Sequence, residues 1–594
     1  MGCRASFWLG MSSCLLSTLL LSGCGAGPGS NTQPPPASFQ VSVTIAGAGT
    51  GTVTSTPAGI NCPTTCSASF SQNTQVTLNE TPGTNNAFAG WSGACTGTAT
   101  CSITVNAAES VTATFGVTLQ SLNHIIIFAQ ENRSFDHYFG ALREYWAQNG
   151  IPDQQFDGLP QFNPTTAGTQ PPNGPPPTNP GCDPTLSTST TCVASSAGTP
   201  VPSFHLASVC TELLSPFWNE AHVDWDYADP TGSTAALNGF VQAGANDARQ
   251  ASTPVNDVNG YRVMGYFDGG DLNYYYFMAS NFAISDRWFA PVMSRTQNNR
   301  MYLMAGTSGG HAYPLSPSNS TGPLSNETIF EALQNAGITW KIYVNSAGTG
   351  CSDSDSACLI QDSYINMFTY YSTITGNSTL LQNIASVTQL KSDMANGTLP
   401  QVALIEPASN AGLDEHPTDN DASGAVNIQT GAAYAASLIN ALMTGPSWKD
   451  SAMIFTYDEP GGFYDHVPPQ VTTAPDSLTS PIDLVSGDSC YGMTTATGIC
   501  SFTYTGYRVP LIVISPFAKK NYVSHTIYDH TAILKLIETR FGLSALTARD
   551  AAQADMSTDF FDFVNVPWAT PPTPPGQNTG GACSLAAPPP PTGP

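Results

Sequence analysis

His124-Ile-Ile-Ile-Phe128 is an apolar run that leads directly into the polar residues Gln130, Glu131 and Asn132. An unbroken apolar run of this length is typical of a central strand that is buried on both faces of a parallel sheet. Four similar runs follow along the chain, at 338–344, 402–405, 453–457 and 510–514. The sequence therefore predicts a sheet with a strongly apolar interior.

Helical patterns separate these runs. In the strongest of them, Asp529 is a candidate cap and Ile533, Leu534, Ile537 and Phe541 fall on one face. Strands that alternate with helices over most of the chain predict an α/β domain, in which a mostly parallel sheet carries helices on both faces.

The first 24 residues are predicted to form a lipoprotein signal peptide. Arg4 precedes an apolar run at 7–21, which ends in Leu21-Ser-Gly-Cys24 and resembles the bacterial lipobox. We expect export, with a lipid on Cys24 that anchors the protein to the membrane as a cell-envelope lipoprotein, at the outer membrane or the cell surface. Secretion without an anchor is the alternative.

The composition divides the rest of the chain into four parts. Residues 25–37 are rich in Gly, Ser and Pro and are predicted to be a flexible tether. Residues 38–117 show short alternating runs and turns, which predict a small β domain, and the segment 88–95 resembles bacterial surface β-repeat modules. This domain is either a spacer or a ligand-binding module. Residues 118–565 form the predicted catalytic domain, and the Pro-rich residues 566–594 are an irregular tail.

The charge balance excludes one class of partner. The chain has 17 Lys and Arg against 42 Asp and Glu, a formal net charge of −25, although only 10% of its residues are charged. Such a surface repels the phosphates of nucleic acids, so we expect no nucleic-acid partner. A phosphate-ester substrate would need a local positive charge, which a bound cation can supply.

The cysteines predict disulfides. Of the 15 cysteines, Cys3, Cys14 and Cys24 lie in the signal peptide, and 15 − 3 leaves 12. Most of these form close pairs, which suits an exported protein: Cys62 with Cys66, Cys95 with Cys101, Cys182 with Cys192, Cys351 with Cys358, and Cys490 with Cys500. The remaining Cys210 and Cys583 are predicted to tie the tail to the body. A zinc site is disfavoured, because the spacings vary and no His accompanies the cysteines at ligand spacing.

The residues just after the buried runs are candidates for a ligand site, because ligands bind at the carboxyl ends of strands in open parallel sheets. Two strand ends deliver Glu131, Asn132, Asp458 and Glu459. This all-oxygen set suits one divalent metal ion. Helix caps or solvated loop residues are the alternative for each of them alone.

The same two segments resemble the signature stretches of a bacterial phosphoesterase family. Residues 130–140 read Gln-Glu-Asn-Arg-Ser-Phe-Asp-His-Tyr-Phe-Gly, and residues 457–467 read Tyr-Asp-Glu-Pro-Gly-Gly-Phe-Tyr-Asp-His-Val. Residues 508–516 and 528–531 resemble two further family blocks. The family includes phospholipases C and an acid phosphatase. The resemblance covers about residues 122–543 and implies an alkaline-phosphatase-like α/β fold.

The resemblance also implies roles for single residues. The family's metal ligands fall on Glu131, Asn132, Asp458 and Glu459, which are the four residues that the strand ends selected. The family's nucleophile, in a Ser/Thr-x-x-Asn motif, falls on Thr296. The neighbouring Asn299 and Arg300 are expected to bind phosphoryl oxygens of the substrate. Without the resemblance, Thr296 would be taken for an ordinary loop hydroxyl.

Two histidines resemble site histidines of the family and are candidates to protonate the leaving alcohol. They are His222 and His416. The sequence departs from the family just before His222, where it has Ser215-Pro-Phe-Trp218 in place of Asp-His-Ser-Trp, which puts the role of His222 and the phospholipid preference in doubt. His137, His466 and His530 are expected to support the structure.

These features predict a metal-assisted hydrolase of phosphate esters, of the phospholipase C or acid phosphatase type. Its reaction would pass through a phospho-threonine at Thr296, and its substrate would be a soluble phosphate ester or a phospholipid. The alternative is a surface-binding or adhesion lipoprotein whose phosphoesterase-like domain is inactive.

Overall fold

The structure is a computed structural model. It describes residues 36–163, 174–252, 254–315, 324–360, 371, 374, 377–418, 426–493 and 497–590. The predicted signal peptide, Cys24 and most of the tether lie outside these residues. Among the described residues, no helix is both long and apolar enough to cross a membrane.

The N-terminal region is the predicted small β domain. Its strands are β1 (Ser38–Ala46), β2 (Gly51–Thr56), β3 (Asn61–Cys62), β4 (Ser67–Ser71), β5 (Gln75–Pro82), β6 (Asn86–Gly93), β7 (Cys101–Thr104) and β8 (Glu109–Val117). They form two four-stranded sheets, in the orders β4-β1-β8-β6 and β3-β2-β5-β7. Alternate apolar side chains such as Val41, Val76 and Phe115 are buried in one core. The period-two pattern therefore predicted this domain correctly.

The strands of the large domain are β9 (His124–Gln130), β10 (Thr178–Asn179), β11 (Val201–Pro202), β12 (Phe204–His205), β13 (Gly265–Tyr266), β14 (Ala283–Ser285), β15 (Trp288–Phe289), β16 (Trp340–Val344), β17 (Ile384–Ser386), β18 (Val402–Ile405), β19 (Ser451–Tyr457), β20 (Leu511–Ile514), β21 (Tyr522–Ser524) and β22 (Tyr528–Asp529). Eight of them form one sheet in the order β17-β16-β18-β9-β19-β20-β14-β21. Only β20 runs antiparallel to its neighbours. The predicted mostly parallel sheet is confirmed.

The helices of this domain are α1 (Phe135–Phe139), α2 (Leu142–Asn149), α3 (Trp218–Trp225), α4 (Phe240–Gln250), α5 (Asn273–Asn281), α6 (Thr296–Ala305), α7 (Ile329–Asn335), α8 (Ser356–Leu359), α9 (Ser378–Leu381), α10 (Val387–Asn396), α11 (Ile428–Thr444), α12 (Thr531–Phe541), α13 (Ala548–Ala552) and α14 (Met556–Asp559). Helices α5, α10 and α11 pack together, and so do α6, α7 and α12. Two such groups are expected where helices cover both faces of a sheet.

All five apolar runs of the sequence became strands of the large sheet. Strand β19 is buried along its whole length, and β9 is exposed only in part and only at His124. The helix predicted after Asp529 begins at Thr531, and the Asp529 carboxylate accepts hydrogen bonds from the Thr531 N–H at 2.8 Å and hydroxyl at 2.6 Å. Asp529 thus stabilises the helix start from one residue before the cap.

Six disulfides connect the chain in the predicted pattern. Five close short loops, and the sixth joins Cys210 to Cys583. Between 566 and 590 the tail has neither helix nor strand. Hydrogen bonds hold it beside the disulfide, since Ser584 N–H donates to Ser208 Oγ at 2.9 Å and Gly581 N–H donates to Gln429 Oε1 at 2.8 Å.

We predict that the double variant Cys210→Ser/Cys583→Ser releases the tail. A cross-link across a long loop stabilises a fold by about 2–4 kcal/mol, whereas the hydrogen bonds that hold this irregular segment contribute only about 1 kcal/mol each. Limited proteolysis should cut the tail at least tenfold faster in this variant than in Cys182→Ser/Cys192→Ser, which opens a short loop instead. Equal cutting rates, or a thiol detected at Cys210 or Cys583 in the wild type, would contradict the pairing.

Candidate active site

The candidate site lies where β9 and β19 end side by side. The two strands are parallel, and Gln130 lies opposite Tyr457. Glu131 and Asp458 therefore leave the sheet at the same edge, and the Asp458 N–H donates to the Gln130 carbonyl oxygen at 3.0 Å. A third segment joins them, because the Glu131 N–H donates to the carbonyl oxygen of Asp414 at 3.1 Å.

A tight turn after each strand turns the acidic residues inwards. Asn132 has a left-handed backbone, with φ of 58°. Its N–H and that of Glu459 both donate to Asp458 Oδ1, at 3.0 and 2.8 Å. Gly461 also has a positive φ, and a Cβ there would lie 2.2 Å from the Asn132 carbonyl oxygen. The close approach of the two turns therefore requires a glycine at position 461.

Three of the four predicted metal ligands have a buried oxygen that accepts no hydrogen bond. These atoms are Asn132 Oδ1, Asp458 Oδ2 and Glu459 Oε1. Buried acceptors are seldom left without a donor in native proteins, so the three oxygens fit the coordination of a hard cation. No three acids at this edge bring carboxylate oxygens within 4.8 Å of one another in the described structure.

The fourth predicted ligand, Glu131, is already paired. Arg300 donates from Nε and Nη2 to Glu131 Oε1, at 3.1 and 2.5 Å, and Thr296 donates its hydroxyl to Oε2 at 3.2 Å. Arg300 Nε also lies 3.4 Å from Asp458 Oδ2. Arg300 was expected to bind substrate, but here it pairs with the acids.

Burial and mutual repulsion disfavour the charged forms of these acids. Burial, followed by the charge of Asp458, raises the pKa of Glu131 well above its usual value, although Arg300 opposes the shift. The same two causes raise the pKa of Glu459. When all three acids are ionised, their negative charge exceeds what Arg300 balances, so a bound cation would stabilise their charged forms.

Thr296 is the first residue of α6, so its hydroxyl lies at the positive end of that helix. The preceding turn is held by Asn299, whose Oδ1 accepts from the Val292 N–H at 3.0 Å and whose Nδ2 donates to the Ser294 carbonyl oxygen at 2.7 Å. The Asn299 side chain thus forms hydrogen bonds with the main chain, whereas the resemblance implied that it binds substrate. In this position it orients the turn that presents Thr296.

Sequence reasoning missed Arg295, which precedes Thr296. Its guanidinium carbon lies 4.5 Å from the centre of the Phe217 ring, and its charge acts to lower the pKa of Glu459. The side chain is half-buried. The signal that could have found Arg295 is the rarity of basic residues, because only 17 of the 594 residues are Lys or Arg. Arg295 therefore adds a second positive charge near the nucleophile.

The two candidate histidines have different surroundings. His222 is buried in α3, and its two ring nitrogens face the carbonyl oxygens of Trp218 at 2.6 Å and Ile499 at 3.2 Å. Burial lowers the pKa of His222 to about 4, so the ring is neutral near pH 7. His416 is half-buried beside Asp414, and its Nδ1 lies 2.6 Å from the Pro417 carbonyl oxygen, which leaves Nε2 for other partners. Of the two, only His416 belongs to the segment that contacts Glu131.

Glu415, which the sequence did not single out, anchors that segment. It is buried with a φ of 69°, and its carboxylate accepts hydrogen bonds from four side chains of distant segments. The donors are Tyr275 at 2.5 Å, Tyr138 at 2.7 Å, Tyr457 at 2.8 Å and Gln130 at 3.2 Å. The aromatic stretch 274–276 is part of the buried core.

A charged cluster joins the two signature segments. His466 pairs with Asp136 through Nδ1 at 2.6 Å and with Asp157 through Nε2 at 3.0 Å, while Arg508 pairs with Asp136 at 3.1 Å and with Asp465 at 2.9 Å. Burial opposes protonation of His466, but Asp136 outweighs it and raises the pKa of His466 to about 9. The cluster contains its own cations and therefore needs no metal.

Several known proteins are similar to this chain in sequence. A sequence model of the Phosphoesterase family matches residues 122–544, and one of the Divergent InlB B-repeat domain matches residues 41–118. Phospholipase C B of Mycobacterium tuberculosis is 30% identical over 483 residues, which cover 77% of this chain and 80% of that protein. Non-hemolytic phospholipase C of Pseudomonas aeruginosa is 28% identical, over 75% of this chain and 58% of that protein.

Among solved structures, a protein of the alkaline phosphatase superfamily from Vibrio parahaemolyticus matches with a TM-score of 0.28 and 13% identity. The match covers 48% of this chain and 66% of that one. A TM-score of this size carries no argument about function.

We predict that the charged cluster makes stability depend on pH above neutrality. The folded protein holds the His466 proton more tightly than the unfolded chain, where the pKa is about 6.5. The resulting stabilisation, up to about 3 kcal/mol, is complete below about pH 6.5 and is lost as the pH rises through about 9. Thermal unfolding midpoints of the wild type should fall across this window relative to those of His466→Gln.

His124→Gln is the matched control, because the His124 ring faces the Pro400 carbonyl oxygen at 2.9 Å and forms no ion pair with an acid among the described residues. This control should follow the wild type at each pH. If the unfolding midpoints of the wild type and His466→Gln changed equally with pH, His466 would not hold its proton through these contacts.

Proposed function

The chain belongs to the phosphoesterase family, and from that premise we propose that it is an exported, metal-assisted hydrolase of phosphate esters, of the phospholipase C or acid phosphatase type. The observation that supports this best is the position of Thr296. Its hydroxyl lies at the start of α6 and donates to Glu131, next to three buried oxygens without donors. The names of the relatives, which are phospholipases C, support a phospholipid substrate.

In this proposal Asn132, Asp458 and Glu459 hold one divalent cation, and Glu131 connects their site to Thr296. A bound ion of this kind stabilises charge on phosphoryl oxygens and lowers the pKa of a nearby hydroxyl. An all-oxygen donor set favours hard cations such as Mg²⁺, Ca²⁺ or Mn²⁺. Arg295 and the N-terminus of α6 add positive charge on the nucleophile's side of the site.

The nucleophile would be Thr296. Its oxygen forms a bond to phosphorus while the bond from phosphorus to the alcohol oxygen breaks, and its proton passes to Glu131 Oε2, which already accepts its hydrogen bond. The departing alcohol takes a proton from a histidine. His416 suits this step better than His222, whose ring nitrogens both face main-chain carbonyls. Water then cleaves the phospho-threonine and releases phosphate or a phosphorylated head group.

The second candidate is a surface-binding lipoprotein with an inactive catalytic domain. The N-terminal B-repeat domain is the observation that favours it. However, the buried acids, Thr296 and the network around them are retained in one place. Such an arrangement costs stability through desolvation and serves no purpose in an inert domain, so we favour the enzyme.

We predict that Thr296→Ala lowers turnover of p-nitrophenyl phosphate by at least three orders of magnitude, because the covalent step is lost. A hydroxyl that only binds substrate would cost about 1 kcal/mol, or roughly tenfold. The variant should keep its thermal stability and metal content. Thr296→Ser is the matched control and should retain part of the activity, and vanadate should inhibit the wild type. Near-normal turnover by Thr296→Ala would overturn the proposed nucleophile.

We also predict that Asp458→Asn removes the metal. The substitution keeps the shape of the side chain but deletes one negative charge, so elemental analysis should find a stoichiometric ion in the wild type and little in the variant. Turnover should fall together with the metal content. The control Asp229→Asn, at the exposed surface, should change neither the metal content nor the turnover. Full activity after exhaustive chelation would exclude the cation from the reaction.

A further inference from the structure

Large apolar side chains are exposed mainly on one segment of this protein. Among the described residues, nine large hydrophobic side chains are strongly exposed, and six of them lie between 471 and 493. From Leu478 onwards these are Leu478, Ile482, Val485, Tyr491 and Met493, with exposures of 43% to 64%. Scattered single apolar residues are normal on a surface, but a concentration of this kind marks an interaction site.

The segment has a fixed shape. The Cys490–Cys500 disulfide anchors its end. Ser489 is held on both sides, with its N–H donating to Asn219 Oδ1 at 2.8 Å and its carbonyl oxygen accepting from Trp218 Nε1 at 3.1 Å. Asn219 Nδ2 also donates to Asp488 at 2.9 Å. The apolar side chains therefore point outwards from an anchored loop.

This loop is connected to the candidate nucleophile. Asp483 accepts hydrogen bonds from the N–H groups of Ala312 at 2.9 Å and Tyr313 at 3.1 Å. Two residues beside Thr296 bind the 311–313 turn. Asn298 Nδ2 donates to the Tyr313 carbonyl oxygen at 2.9 Å, and the Ser294 hydroxyl donates to the Ala312 carbonyl oxygen at 2.5 Å. Ser294 and Asn298 flank Thr296, so two steps of direct contact join the apolar loop to the start of α6.

The charge of the loop selects among partners. Residues 471–493 contain Asp476, Asp483 and Asp488 but no Lys or Arg, and the whole chain carries a formal charge of −25. An anionic surface would be repelled. A zwitterionic lipid surface has no net charge, and it offers an apolar interior for Leu478, Ile482, Val485 and Met493 and an interface suited to Tyr491.

We propose that these five side chains form a docking surface for zwitterionic lipid interfaces, which delivers lipid phosphate esters to Thr296. The inference rests on the proposed phosphoesterase function and names the physical state of its substrate. The docking surface acts before chemistry. It raises the rate on aggregated lipid and leaves the rate on dissolved lipid unchanged.

The test uses one substrate in two states. A short-chain phosphatidylcholine is hydrolysed below and above the concentration at which it forms micelles, by the full-length wild type and by Ile482→Ser/Val485→Ser/Met493→Ser. Below that concentration the two proteins should have equal rates. Above it, the wild-type rate should rise at least tenfold and that of the variant should not. The control Leu186→Ser/Val258→Ser removes exposed apolar side chains elsewhere and should behave as the wild type.

The outcomes separate the two hypotheses. A variant that keeps the full rise overturns the docking surface, while the activity itself still supports the proposed function. No hydrolysis in either state, and none of p-nitrophenyl phosphate, overturns the proposed function. If the variant keeps the rise but sedimentation velocity shows that it has lost a wild-type dimer, the patch joins two copies of this chain and the lipid proposal is wrong. Anionic phosphatidylglycerol mixed into the micelles should reduce the wild-type rise, and a stronger rise would contradict the charge argument.

Discussion

The structure depends on the burial of several carboxylates at the end of two adjacent parallel strands. Glu131, Asp458 and Glu459 are fully buried, and each would cost several kcal/mol if left charged without partners. Strand interiors cannot hold them, because side chains there face packed helices. The strand ends can, since the chain leaves the sheet and its N–H groups turn towards the acids. The left-handed turn at Asn132 and the Gly461 contact follow from this one requirement.

The polar networks farther from the site also show that buried charged groups need polar partners. The Glu415 carboxylate accepts hydrogen bonds from three tyrosine hydroxyls. In the charged cluster, Asp136 forms ion pairs with both His466 and Arg508. Each network ties together segments that are far apart in sequence. A buried charge is stable only when its partners are present, so these networks form only in the correctly assembled fold. They therefore fix the loops that carry the acids and Thr296.

The features predictable from sequence were those with a local signal. The apolar runs marked the strands of the large sheet, cysteine spacing marked the close disulfides, and the residues after 124–128 and 453–457 marked the acidic edge. The direction of β20 was not predictable, because a buried antiparallel strand has the same apolar texture as a parallel one. Glu415 was not predictable, because its hydrogen-bond partners come from three distant segments. Asn299 shows another limit, because a motif identifies a position but not whether its side chain faces the ligand or the main chain.

The overall charge adds a constraint on what can reach the site. A chain with a formal charge of −25 repels a dianionic phosphate monoester at long range, and only short-range charges such as Arg295 and Arg300 act against that repulsion. A phosphodiester in a zwitterionic head group carries its own positive charge, so it approaches without this penalty. The same chain places its exposed apolar side chains on a loop bound to the 311–313 turn beside α6. Long-range charge and short-range apolar contact therefore both support the proposed substrate, a zwitterionic lipid presented at an interface.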